Sequence, residues 1–141
     1  MKNATTNTQT PETAKGSLTV LVVEDHPYFR KSLVSYLAEF SSVNVVGKAA
    51  DGMEALELAE RLRPQLVVMD IQMPEMDGLD ACKLIKIKYP GTRVILYSMH
   101  ASETFSKESL SCADGFVTKD RLFEELNEII GQSKALASKA S

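Results

Sequence analysis

Three short runs constrain the fold of this chain more than anything else in it: LTVLVV (Leu18–Val23), LVVM (Leu66–Met69) and RVILYS (Arg93–Ser98). Each is almost wholly apolar and rich in β-branched residues. None shows the in–out alternation of a strand with one wet face, so each reads as a strand covered on both sides, as in a parallel sheet. VNVVGKA (Val43–Ala49) and GFVT (Gly115–Thr118) complete a set of five.

Between the strands the period changes from continuous to helical. Phe29, Leu33, Tyr36, Leu37 and Phe40 fall on one helix face, and Ala55, Leu56, Ala59 and Leu62 on another. Asp51-Gly-Met-Glu54 has the spacing of a capping box with Asp51 as N-cap, and Pro64 ends that helix. A third helix is expected over Leu79–Lys88, closed by Pro90-Gly91. A weak, serine-rich one is expected over Ala101–Ser111. The last carries Leu122, Phe123, Leu126, Ile129 and Ile130 on one face, with Asp120 as its N-cap. Strand–helix alternation with right-handed crossovers gives an α/β domain. The expected fold is a doubly wound five-stranded parallel sheet in the flavodoxin-like order 2-1-3-4-5, with five helices.

The expected organisation is a disordered leader over residues 1–17, one domain over 18–130, and the end of the last helix with a flexible tail over 131–141. The leader has no apolar stretch of the secretory kind, and no run approaches the roughly 20 residues that span a bilayer. A cytoplasmic location without a membrane partner is expected. Residues 18–130 hold 12 Lys and Arg against 18 Asp and Glu, a balance of −6. Nucleic-acid binding needs clustered cations to neutralise phosphates, so this segment is not expected to read nucleic acid directly. Cys82 and Cys112 lack metal-ligand spacing and read as two small buried thiols.

In such sheets the site lies outside the carboxyl ends of the strands. Strand one ends in Glu24-Asp25, strand three in Asp70, strand four in Ser98 and strand five in Thr118-Lys119. Each has a plain alternative: Asp25 as a helix cap, Asp70 as a loop acid, Ser98 as a turn hydroxyl, Lys119 as a solvated charge. Together, three carboxylates at one sheet edge repel one another unless a cation holds them. With all-oxygen donors and no suitably spaced Cys or His, a hard ion is expected, and Mg²⁺ fits. Lys119 is a second counter-charge, able to reach Asp70 or a phosphoryl oxygen. A carboxylate between Mg²⁺ and Lys can act as a nucleophile toward phosphorus.

This set of strand-end residues resembles the receiver domain of two-component response regulators, the CheY-like family, over about Leu18 to Ile130. Pro74 and Gly78 stand four and eight residues after Asp70, as in that family's phosphoacceptor loop. The resemblance implies that Asp70 accepts a phosphoryl group from a histidine kinase or phosphotransfer protein. It implies Mg²⁺ binding by the side chains of Asp25 and Asp70 and the backbone carbonyl of Gln72, with Glu24 acting mainly through water. Ser98 and Phe116 resemble the hydroxyl–aromatic switch pair, with Phe116 expected to favour its inward position and Ala101–Ser111 to be the bistable element. Lys119 is followed by Asp120 rather than the proline of many receivers. With DHP (Asp25–Pro27) and YSMH (Tyr97–His100), this is similar to NarL-type receivers, which usually carry a DNA-binding domain. The chain is then either a stand-alone receiver or a fragment of such a regulator, and its output partner stays open, a second copy of the chain among the candidates.

Other classes fit less well. A phosphatase with an aspartyl intermediate wants a second acid two residues after its nucleophile, where this chain has Pro27. A flavodoxin-like cofactor site needs a Gly- or Ser/Thr-rich loop after strand one, and EDHPYF is not one. A degenerate scaffold would not keep the full acid–hydroxyl–lysine set. His26 and His100 flank the site, and each is read first as a surface or structural residue.

Overall fold

The structure is a computed structural model that describes residues 17–100 and 105–140, with side chains to Gly131. Residues 1–16 of the expected leader and the beginning of the expected fourth helix lie outside the described residues. Five strands form one parallel sheet: β1 (Leu18–Val23), β2 (Val43–Ala49), β3 (Leu66–Asp70), β4 (Arg93–Ser98) and β5 (Gly115–Thr118). Their order is β2-β1-β3-β4-β5, as expected. The strand β3 runs one residue further than the apolar run, so that Asp70 is its last residue and pairs with Tyr97 of β4.

The β1, β3 and β4 runs are continuous because both of their faces are buried. On one face, Leu21, Val23, Val67, Met69, Val94 and Leu96 meet Ala55 and Leu58 of α2 (Gly52–Leu62) and Ala81 and Ile85 of α3 (Gly78–Lys88). On the other, Val20, Val22, Val68, Ile95 and Tyr97 meet Leu33 and Leu37 of α1 (Pro27–Ala38) and Leu122, Leu126 and Ile130 of α5 (Leu122–Ala140). Alternate residues of one strand thus feed two separate cores. Cys82 is buried and Cys112 half-buried, both as free thiols.

Helix starts follow local chemistry. Asp51 accepts from Glu54 N at 2.9 Å, and the Glu54 carboxylate reaches back to Ala50 N at 2.8 Å. Asp77 caps α3 through Asp80 N at 2.9 Å. Two expectations change. The helix foreseen over Ala101–Ser111 is, among the described residues, a single turn, α4 (Lys107–Leu110). Ser106 caps its start by accepting from Ser109 N, so the helix begins only at Lys107, and Ser111 donates back to Glu108 O where it ends. Asp120 does not cap α5; it sits inside a 3-10 turn, Lys119–Arg121, that leads into the helix. The Lys, Ala and Ser residues beyond Gly131 continue α5 to Ala140.

Candidate functional site

The parallel register brings the carboxyl ends of β1, β3, β4 and β5 to one edge, and Glu24, Asp25, Asp70 and Lys119 come together there. Glu24 turns inward and is 1% exposed. A buried carboxylate needs donors. One of its oxygens accepts from His26 N at 3.0 Å, and the other from the Tyr97 hydroxyl at 2.5 Å. The Arg30 guanidinium donates to the Glu24 backbone carbonyl at 2.8 Å, fastening the turn to α1. The cap of α1 is His26, whose Nδ1 accepts from Phe29 N at 3.4 Å. Asp25 is therefore not used as the cap, and its side chain is exposed at the mouth of the site.

Asp70 is buried at the end of β3 and accepts from Gln72 N at 3.2 Å. The following loop folds back tightly. Gly78 N donates to Ile71 O at 2.7 Å, Gly52 N to Met76 O at 3.1 Å, and Glu75 takes a left-handed φ of 67°. A Cβ on Gly78 would collide with the Asp70 carbonyl oxygen. Glycine at that position is what lets the helix α3 start directly beneath the acid.

Glu24, Asp25 and Asp70 each offer a carboxylate oxygen, and these lie within 4.8 Å of one another. Burial raises the pKa of Asp70 from 3.8 to about 6, and the neighbouring Glu24 charge adds to the rise; the Gln72 N–H and the Lys119 ammonium oppose it. Lys119 reaches in from the end of β5. Its Nζ stands 3.8 Å from Glu24 Oε1 and 4.2 Å from the centre of the Phe29 ring. Of the carboxylates in the cluster, the one it faces is Glu24. The arrangement is a set of hard oxygen donors with one ammonium beside it, which suits a divalent cation and a phosphoryl group.

Ser98 is fully buried at the end of β4, and its Oγ accepts from His100 N at 3.1 Å. Phe116 is half-buried on β5, packed against the α2–α3 core, with its ring 6.0 Å from that of Phe105. Gln72 is exposed beside Asp70. Sequence reasoning passed over Tyr97 and Phe29. The available signal was a tyrosine inside an apolar strand, directly before Ser98 and level with the strand-end acid. Burial, then the Glu24 charge, push its phenol above the usual range, so that it stays a donor.

Residues 20–131 match the response regulator receiver domain. A protein-glutamate methylesterase/protein-glutamine glutaminase of Myxococcus xanthus (strain DK1622) is 49% identical over 82 residues, 58% of this chain and 23% of that protein. The receiver domain of the response regulator NarL from Mycobacterium tuberculosis superposes with a TM-score of 0.75 at 36% identity, covering 84% of this chain and 97% of that one. The response regulator TrrA of Thermotoga maritima, solved in complex with Mg(2+)-BeF, superposes with a TM-score of 0.72 at 32% identity, covering 82% and 98%. The match also spans about half the length of two transcriptional regulators, 54% and 50%.

Proposed function

Because the chain belongs to the response regulator receiver domain family, we propose that Asp70 is its phosphoacceptor and that Glu24, Asp25, Asp70 and Gln72 form its Mg²⁺ site. The observation that carries this is the meeting of three carboxylates, two just after β1 and one at the end of β3, within 4.8 Å of one another with Lys119 alongside. Asp25 and Asp70 would hold the ion by side chain, Gln72 by its carbonyl, and Glu24 through water. When bound, Mg²⁺ supplies neutralisation of the phosphoryl oxygens.

Asp70 is suited to attack. Its carboxylate is largely ionised at neutral pH with a pKa of about 6, yet is more basic than an exposed aspartate. One oxygen bonds to phosphorus while the bond from phosphorus to the donor breaks, and the donor leaves with that electron pair. Lys119 swings from Glu24 toward the new phosphoryl group. Ser98 Oγ turns from His100 N to donate to a phosphoryl oxygen, and Phe116 follows into the space beside it. The group adds about −1.5 to −2 charges, and its differential contacts shift the α4–β5 face between two states.

The phosphodonor is a histidine kinase or phosphotransfer protein and the setting cytoplasmic; among the described residues no helix is long and apolar enough to cross a membrane. The domain is a phosphoacceptor switch. Relatives attach it to outputs as different as methylesterase and transcriptional regulation, so the output is a property of what this domain contacts. The test is incubation with Mg²⁺ and acetyl phosphate, followed by intact-mass measurement. An added phosphoryl mass that Asp70→Asn abolishes supports the assignment. A phosphoryl mass that persists in the variant moves the acceptor elsewhere.

A further inference from the structure

Glu24 is the most enclosed acid of the site, and its two oxygens are satisfied in different ways. Oε2 takes a backbone N–H from His26 at 3.0 Å. Oε1 is shared: the Tyr97 hydroxyl sits at 2.5 Å, and the Lys119 ammonium at 3.8 Å. A neutral hydroxyl satisfies a buried carboxylate without cancelling its charge. An ammonium at contact distance would cancel it. Lys119 is held short of that contact, over the face of Phe29, whose ring quadrupole attracts the cation at 4.2 Å. The Phe29 ring in turn lies 5.9 Å from that of Tyr97 and stacks on Phe123 at 6.0 Å. Tyr97 reaches Glu24 because its strand position pairs with Asp70 across β3 and β4.

We propose that Tyr97 is a positioning residue for the cation site: its hydroxyl occupies Glu24 Oε1, keeps Lys119 from closing on that oxygen, and so leaves the Glu24 charge for the ion and the ammonium for the phosphoryl group. This rests on the Mg²⁺-site reading above. Tyr97 touches neither the ion nor phosphorus; it acts through Glu24 and Lys119. Without the hydroxyl, the same burial that demands a donor for Oε1 draws the ammonium from 3.8 Å into direct contact, and the loose Glu24–Lys119 pair closes.

The experiment is Mg²⁺ titration by calorimetry on the full chain. Tyr97→Phe should weaken Mg²⁺ binding about tenfold, the lower end of the effect of removing a partner of a metal-site residue. Tyr36→Phe loses a comparable hydroxyl bond, to Phe123 O at 3.0 Å, that involves neither Glu24 nor Lys119, and should leave the affinity unchanged. In a Lys119→Met background the competing ammonium is gone, and Tyr97→Phe should then change the affinity less than about twofold. Wild-type affinity in Tyr97→Phe, or an equal loss in both backgrounds, overturns the proposal. Should Tyr97→Phe not fold, the Tyr97 ring resonances of the wild-type chain give the same answer: they should shift with added Mg²⁺ at the calorimetric midpoint, and unmoved resonances overturn it. Failure of the wild-type chain to bind Mg²⁺ refutes the site itself, a different result from an indifferent Tyr97→Phe.

Discussion

Replacing Asp70 with asparagine should make the protein more stable at neutral pH, because the site opposes the fold that holds it. Asp70 has its pKa raised from 3.8 to about 6 by burial and then by the Glu24 charge. A carboxyl whose folded pKa lies above its unfolded one binds its proton more tightly when folded. Its ionisation therefore costs stability progressively from about pH 4 to 6, and the full cost stands above pH 6. At about 1.4 kcal/mol per pKa unit, the cost is about 3 kcal/mol. The amide of the Asp70→Asn variant would retain an oxygen for the Gln72 N–H and remove the charge facing Glu24. The expected gain in a chelator is about 2–3 kcal/mol at pH 7.5, or about 10 °C in Tm, falling to near zero at pH 4. Urea unfolding followed by far-UV circular dichroism at the two pH values measures it. Added Mg²⁺ should narrow the difference by stabilising the wild type, by about 2.7 kcal/mol at a hundredfold excess over its Kd. An Asp70→Asn variant no more stable at pH 7.5, or equally favoured at pH 4, refutes the electrostatic account.

Two further substitutions test the framework around the site. Gly78→Ala drives a methyl into the Asp70 carbonyl oxygen, so it should lower stability by about 3 kcal/mol, read by urea midpoint, and slow acetyl phosphate labelling with it. Lys86 donates to the carbonyls of Pro90 and Thr92 and to Asp114, joining the end of α3 to the start of β5. Lys86→Met should cost about 1–2 kcal/mol at pH 7. Burial alone would raise the Asp114 pKa, but the Val94 N–H and Lys86 outweigh it and lower it, so this stabilisation is present at neutral pH and lost as acid protonates the carboxylate. The difference between the two proteins should shrink at low pH in the same unfolding assay, leaving what the Pro90 and Thr92 carbonyl bonds contribute.

The strand set and its order were legible because burial on both faces leaves a continuous apolar signature, and Val20–Val23 and Leu66–Met69 are all at 0% exposure. The meeting of Glu24, Asp25 and Asp70, with Lys119 beside Glu24, was legible for the same reason, since strand ends fixed by such runs must align. What escaped was which polar atoms pair once there. Lys119 faces Glu24, and His26 rather than Asp25 caps α1, because those choices depend on side-chain reach and on distances set by packing. Tyr97 escaped because its apolar ring satisfies the strand pattern while its hydroxyl does something else. The fourth helix, expected as a weak, serine-rich one over Ala101–Ser111, is a single turn among the described residues, starting at its Ser106 cap and ending where Ser111 bonds back to Glu108 O.

The acids and the groups expected to answer them are held with different firmness. Glu24 follows four buried residues of β1, Val20–Val23, and Asp70 closes β3, which is buried along its whole length. The strand carrying Phe116 and leading to Lys119 is half-buried at all four positions, and α4 beside it has no buried residue. Local opening is easiest where few apolar contacts must be given up. If Asp70 is the acceptor, the free energy of placing a phosphoryl group there is taken up by displacement along β5 and α4 rather than by movement of the acids themselves. The acids can then tolerate an unfavourable charge cluster without disorder, since the cores on both faces of β1 and β3 fix them. The same unfavourable charge makes the site respond strongly to whatever neutralises it. A uniformly packed sheet would hold the cluster equally well, but it would leave the event at Asp70 without a soft edge on which to act.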